Sequence, residues 1–480
     1  MPEAFSYQLA KPRVTVIGGM MAYFESIMEP GFRDDRLRHV AEITAPLKTA
    51  FDLTELGLWA DETDFDRLTK QIAQTPCDVV LLVPTMATPP KEIVALAVQC
   101  DAPVVIACGH GLSDITEAFN MRELCRHSSN VGATMIGSMM RRLPKPLQPI
   151  LVTGFLDDPE FHMRLSLAVK TAALANRFKG LRIGRLGMPM NGYDHIGLSA
   201  EQATASGFEL VDISLKDWTT RVSAVTDSEI KTFQHDILPL HIPPQTKYAL
   251  SADLDRATRL ALALDRVAVE YQLDCGSLTC RGPFGVELAN GAIGCLATSL
   301  MTASGRPFSA TGDLVTSIAM LTGKVLGGAT LYCELDAIDR NRDAFLISNT
   351  GEGDFDWCPK GGKADIYDAS AHSGRDVSGV VLNHDISAGA ATMIGVTLDR
   401  NVSERLSFIA LQGETLEPPN TALKVTHGWF QSSMRPAPRA FEAWANAGAT
   451  HHGALSRGNL VEALNWLAML RDFPVTQITE

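Results

Sequence analysis

Cys77-Asp78-Val79-Val80-Leu81-Leu82-Val83-Pro84 is an apolar run without alternation, the length of one strand. A strand that is apolar on both faces is covered on both faces, which places it in a parallel sheet between helical layers. The flanking sequence repeats the pattern. Val14 to Gly19 reads as an earlier buried strand, and Asp35 to Thr49 carries apolar residues at near-helical spacing. Pro90 to Cys100 reads as a helix and Ala102 to Cys108 as the next strand. Pro149 to Gly154 adds a strand, and Asp157-Asp158-Pro159 opens a long helix from Asp158 to Phe178.

A second α/β layer starts near Lys179. Leu181 to Gly187 is a strand that runs into a loop rich in Gly, Pro and Asn. Ser199 to Ser206 is a short helix, Phe208 to Ile213 a strand, and Asp253 to Tyr271 a long helix with Ser251 as its N-cap candidate. Leu288 to Thr302 and Leu314 to Leu326 are two more apolar helices. After Gly327-Gly328 the helical periodicity fades into short alternating runs such as Ala344 to Ile347, Gly379 to Leu382, Thr392 to Leu398 and Leu406 to Gln412. A final helix is expected from Asn459 to Arg471. The predicted fold class is α/β: two Rossmann-like parallel-sheet domains, residues 1–179 and 180–328, followed by a β-rich C-terminal domain, residues 329–480.

The 480 residues suit about three domains. A hydrophobic content of 46% excludes intrinsic disorder. No apolar run approaches the ~18 residues that span a bilayer, so no membrane partner is expected. With Lys+Arg 42 against Asp+Glu 55 the chain lacks the basic surface of a nucleic-acid binder. The nine cysteines include no CxxC pair, and most lie in apolar runs, so they read as buried thiols in a reducing cytoplasm. Gly18-Gly19 lacks the GxGxxG spacing of a dinucleotide site, and neither GxSxG nor HExxH occurs.

Three places carry candidate chemistry. Asp313 stands before an apolar helix, where an acid favoured by the helix dipole is the simpler reading. Glu334 follows the apolar stretch Ala329 to Cys333, where a buried carboxylate must be paired, metal-bound or shifted in pKa. His451-His452 lies in a small-residue loop compatible with metal binding. Glu352, Asp354 and Asp356 form an acidic cluster that reads first as a solvated turn and second as a cation site.

The order of these pieces resembles the L-fucose/L-arabinose isomerase family along most of the chain. The resemblance is carried by Val16-Ile17-Gly18-Gly19, by Asp157-Asp158-Pro159-Glu160 with Arg182 to Gly187, by Gly294-Cys295-Leu296-Ala297, by Ile318 to Gly323 and by His451-His452. It implies aldose–ketose isomerisation through an enediol, at a divalent metal, usually Mn2+, with two acidic side chains moving a proton. Carried over residue by residue, it puts metal carboxylates at Glu334 and Asp313 and a histidine ligand at His452, with Glu334 and Asp313 also catalytic. The family's first metal glutamate falls on Thr311, a histidine of the arabinose branch on Asn349, and a glutamine of its first loop on Met20. Thr311, Asn349, Met20 and Tyr23 are thus the expected substrate contacts. A neutral threonine cannot replace an anionic ligand, so either a rebuilt site or a different reaction is expected, with Glu287 or Glu352 as further acids.

The resemblance also implies a homotrimer or homohexamer, with His127 and Asn130 in the region lent to a neighbouring site. Three functions follow: a sugar or sugar-acid isomerase with an altered metal site, a diverged and metal-independent enzyme on the same scaffold, or a non-catalytic carbohydrate-binding protein.

Overall fold

The computed structural model describes residues 5, 10–243, 251–279, 293–359, 364–370, 378–399 and 405–479. Cys280 and Glu287 lie outside these residues. Contacts divide the chain into two compact units: Ala10–Phe178 joined by Asn465–Asp472, and Lys179–Leu464 joined by Phe473–Glu480.

In the first of these units, strands β1 (Arg13–Gly19), β2 (Asp52–Trp59), β3 (Val79–Pro84), β4 (Val104–His110) and β5 (Ile150–Phe155) form a parallel sheet in the order β2-β1-β3-β4-β5. Every residue of β3 is buried, as its unbroken apolar run requires. The helix expected from Asp35 is found at Phe32–Thr44 and tightens into a short 3-10 segment at Ala45–Thr49, where Pro46 removes a backbone donor. Trp466, Met469 and Leu470, from near the C-terminus, pack against the core of this sheet.

The other unit holds a second parallel sheet and the β-rich region. Strands β6 (Leu181–Leu186), β7 (Phe208–Asp212), β8 (Cys275–Leu278) and β9 (Phe308–Ala310) run in the order β7-β6-β8-β9. The remaining strands are β10 (Thr330–Asp339), β11 (Ala344–Ser348), β12 (Asp365–Asp368), β13 (Val380–Asn383), β14 (Gly389–Asp399), β15 (Arg405–Thr415), β16 (His427–Ser432), β17 (His452–Arg457) and β18 (Val475–Ile478). Six of them form a closed barrel in the order β14-β17-β10-β11-β16-β15, shut by pairing of β14 with β15, and β18 adds in parallel to β15. Closure leaves these strands no long free edge. β12 and β13 pair separately.

Two elements of this region have weak sequence signals. The helix Ala437–Asn446 starts among prolines, which suit its first turn, and buries Ala440 and Trp444. The four-residue strand β18 is too short to show a period. Among the described residues, eight cysteines are free thiols, four buried and four half-buried, and no helix is long and apolar enough to cross a membrane.

The helix Leu314–Gly327 connects the second sheet to the barrel. A Cβ on Gly323 would come within 1.8 Å of the Ser456 hydroxyl on β17, so glycine permits the close approach of this helix to that strand. Lys324 of the same helix is buried, with Nζ 2.9 and 2.7 Å from the Asp354 oxygens and 2.5 Å from Asp356. Asp354 is fully buried and also accepts from Thr330 N. The acidic cluster is therefore not a solvated turn: Asp354 is the counter-ion of a buried lysine, and Glu352 is only 5% exposed. Removing one partner of such a pair strands the other charge. Lys324→Met is expected to cost about 3–5 kcal/mol in urea denaturation.

Candidate metal centre

The C-terminal ends of β6 and β9 open toward β10 and β17 of the same unit, where the site is assembled. In open α/β sheets ligands bind at the carboxyl ends of the strands. After β9 come Thr311, Gly312 and Asp313, and Asp313 caps the helix Leu314–Gly327 by accepting from Thr316 N at 2.9 Å.

On β10 the side chains alternate between two faces. Leu331 and Cys333 enter the barrel core, with Leu335 packed against it, whereas Tyr332 and Glu334 face the site. Glu334 stands directly opposite His452 on β17 in the antiparallel register, so the two belong to one cross-strand pair. His452 Nε2 lies 3.3 Å from Glu334 Oε1. The other ring nitrogen, Nδ1, is 2.8 Å from Asp313 Oδ2 and 2.7 Å from the Tyr332 hydroxyl. That hydroxyl donates to Asp313 Oδ2 at 3.2 Å and lies 3.3 Å from Thr311 Oγ1. Burial, and then the charge of Asp313, push the Tyr332 phenol well above its ordinary range, which keeps it a donor.

His451 Nε2 is 3.9 Å from Glu334 Oε1, and the two histidine ring centroids are 3.8 Å apart. One ligand atom each from Glu334, His451 and His452 lies within 4.8 Å of the other two. A carboxylate with two imidazoles is a donor set for a divalent transition cation. The hydrogen bond from His452 lowers the Glu334 pKa, so its carboxyl is ionised. Burial opposes the charged form of His452, but its bonds to Asp313 and Glu334 outweigh that and raise its pKa to about 9, so the ring must give up a proton to a cation that binds it.

The structure thus brings together Asp313, Glu334, His452 and Thr311. Asp313, expected as a ligand and proton carrier, stands behind His452 instead. It is fully buried, and both its oxygens are engaged. Thr311 reaches Tyr332 through its hydroxyl. Asn349 accepts from Thr350 within its own loop, and its Nδ2 is buried with no hydrogen-bond partner among the described residues. Glu352 is buried beside Cys295 and Thr350, and burial raises its pKa. Met20 and Tyr23 belong to the other unit. Met20 is fully buried in its core, and Tyr23 is 60% exposed. His127, in that unit, lies 3.4 Å from Glu123.

Three participants were not among the expected residues. Tyr332 had a signal, the alternation Tyr332-Cys333-Glu334, in which an aromatic shares the carboxylate's face. Asp336 sits where the β10–β11 register shifts between Leu335 and Ala337. It accepts from Ser348 Oγ at 2.7 Å, and burial, with the nearby Glu334 charge, raises its pKa. Bulges of this kind re-aim side chains beside sites. The third, His195, lies 3.1 Å from His451 and had no local signal.

No protein-family model matches the chain. Among curated proteins it is similar to an L-arabinose isomerase from a Nocardioides species, 24% identical over 341 residues, or 66% of this chain. The matched region spans 64% of that protein's length. This is a distant relationship to a sugar isomerase.

The protonation of His452 sets a pH dependence. In metal-free protein the folded pKa of about 9 lies above the ordinary 6.5 of an unfolded chain. The bonded imidazolium therefore stabilises the fold fully below pH 6.5, and the contribution is lost as pH rises through about 9. The loss is on the order of 3 kcal/mol. Chemical denaturation of chelator-treated protein across this range should show the decline, and His452→Asn should lack it.

Proposed function

We propose that the chain is a sugar isomerase-like enzyme that interconverts an aldose and a ketose, or a sugar-acid analogue, at a divalent metal held by Glu334, His451 and His452. The observation that carries this reading is the convergence of a carboxylate and two imidazoles beside a second carboxyl whose pKa is raised. The distant similarity to an L-arabinose isomerase supports the same chemistry. Mn2+ is the expected occupant, and the mixed oxygen and nitrogen donors accommodate it. When bound, the cation polarises the sugar carbonyl and lowers the pKa of the adjacent hydroxyl.

The chain's own groups handle the protons. Glu334 removes the proton from C2 of the aldose, while Asp336, in its protonated form, whose share the raised pKa increases, donates to the carbonyl oxygen on C1. The resulting enediol collapses when Glu334 returns its proton to C1 and Asp336 recovers one from the hydroxyl on C2. Both carboxyls end as they began, and no redox partner is needed. Two carboxyls whose surroundings push their pKa values apart suit these opposite roles. Asp313 holds the His452 ring through Nδ1 and leaves Nε2 facing Glu334. We assign the substrate to the sugars and sugar acids, and the assembly to the trimer or hexamer that the sequence resemblance implies.

Two substitutions test the reading together. Glu334→Gln is expected to abolish both bound metal and aldose–ketose turnover. Asp336→Asn should keep metal content and lower kcat by about 10²–10⁴-fold. Full turnover in both variants would exclude this mechanism.

A further inference from the structure

The two histidines of the candidate centre are held in different ways. His452 is 4% exposed and fixed by Asp313 and Tyr332. The side chain of His451 is 35% exposed, in the turn before β17, and nothing in its own strand pairing fixes its ring. A half-exposed ring left free samples several rotamers, and ordering it on a ligand costs conformational entropy.

We propose that His195 is the positioning residue that makes His451 a metal ligand. His195 Nε2 lies 3.1 Å from His451 Nδ1. This contact occupies the ring nitrogen directed away from Glu334 and leaves His451 Nε2 on the carboxylate's side. Each histidine of the centre thus has its Nδ1 tied by a separate partner, Asp313 for one and His195 for the other. Such outer partners set the tautomer and the orientation of the ligating ring. Tyr193 stacks on His195 with centroids 6.1 Å apart and lies tilted against His451 at 5.6 Å.

The loop that presents His195 is anchored at the same turn that carries Asp313. It follows β6, and Thr279 Oγ1 donates to Met188 O at 3.0 Å. A Cβ on Gly312 would lie 2.6 Å from Pro189 N, and Gly312 has φ +84°, so only glycine allows this loop to seat there. Beyond it, Ile196 is fully buried and pins the short 3-10 turn 194–196. Thr311-Gly312-Asp313 therefore supports both histidines, one through a carboxylate and the other through the loop it seats. A second imidazole also shifts the donor set toward transition cations and away from Mg2+.

This inference rests on the metal-centre reading above, and one experiment separates their fates. Co2+ is titrated into chelator-treated full-length protein, and affinity and the visible d–d spectrum are recorded for wild type, His195→Ala, His195→Gln and His451→Ala. Gln at 195 retains a polar atom near the position of the histidine Nε2. His195→Ala is expected to weaken Co2+ binding about 10–100-fold and to shift its spectrum toward that of His451→Ala, whereas His195→Gln restores most of both. Circular dichroism of the exposed-site variants should match wild type. A wild-type protein that takes up no Co2+ overturns the metal-centre reading and this inference with it. Wild-type uptake that His451→Ala weakens and His195→Ala leaves unchanged overturns this inference alone, whereas an unchanged His451→Ala variant also removes His451 from the proposed centre.

Discussion

The hydrogen bond between Asp313 and His452 joins two parts of the structure that are far apart in sequence. Asp313 ends the turn after β9 and starts the helix Leu314–Gly327, and His452 begins β17 of the barrel. One carboxylate caps the helix with one oxygen and holds the imidazole with the other. The simple reading of Asp313 as a helix-start acid and the functional one thus describe the same side chain. Close packing of the helix on β17 at Gly323 keeps that bond in register with the Glu334–His452 pair.

Much of the architecture was legible in the sequence because apolar periodicity records burial. The unbroken run at β3, the long helix after Asp158 and the change of texture beyond Gly328 all register in the structure. Closure of the barrel was not legible, because it depends on the pairing of β14 with β15 and on which strand neighbours which. The helix Ala437–Asn446 is hidden among prolines that read as breaks.

The candidate site was legible where sequence neighbours share a strand face and illegible where distant loops meet. Glu334 stands out as a carboxylate after an apolar run, and His452 as one of two adjacent histidines in a small-residue loop. His195 sits in an exposed loop, and nothing near it in sequence refers to His451. The acidic cluster misled because the lysine that neutralises Asp354 comes from an apolar helix, where a single charge reads as incidental. The glutamate that the resemblance places at Thr311 has no local substitute there. The second carboxyl of the proposed mechanism is that of Asp336, on β10 of the barrel, which accepts from Ser348 Oγ.

The path of the chain near its C-terminus has a further consequence. The helix Val461–Arg471 contributes Trp466, Met469 and Leu470 to the core around the first parallel sheet, after which β18 returns to β15 of the barrel. The first unit is therefore not a contiguous piece of sequence. A chain severed after Phe178 would leave that sheet without the apolar cover these residues provide, so this unit is not a cassette that recombination can transfer by a single crossover. Its inheritance is tied to the far end of the same polypeptide.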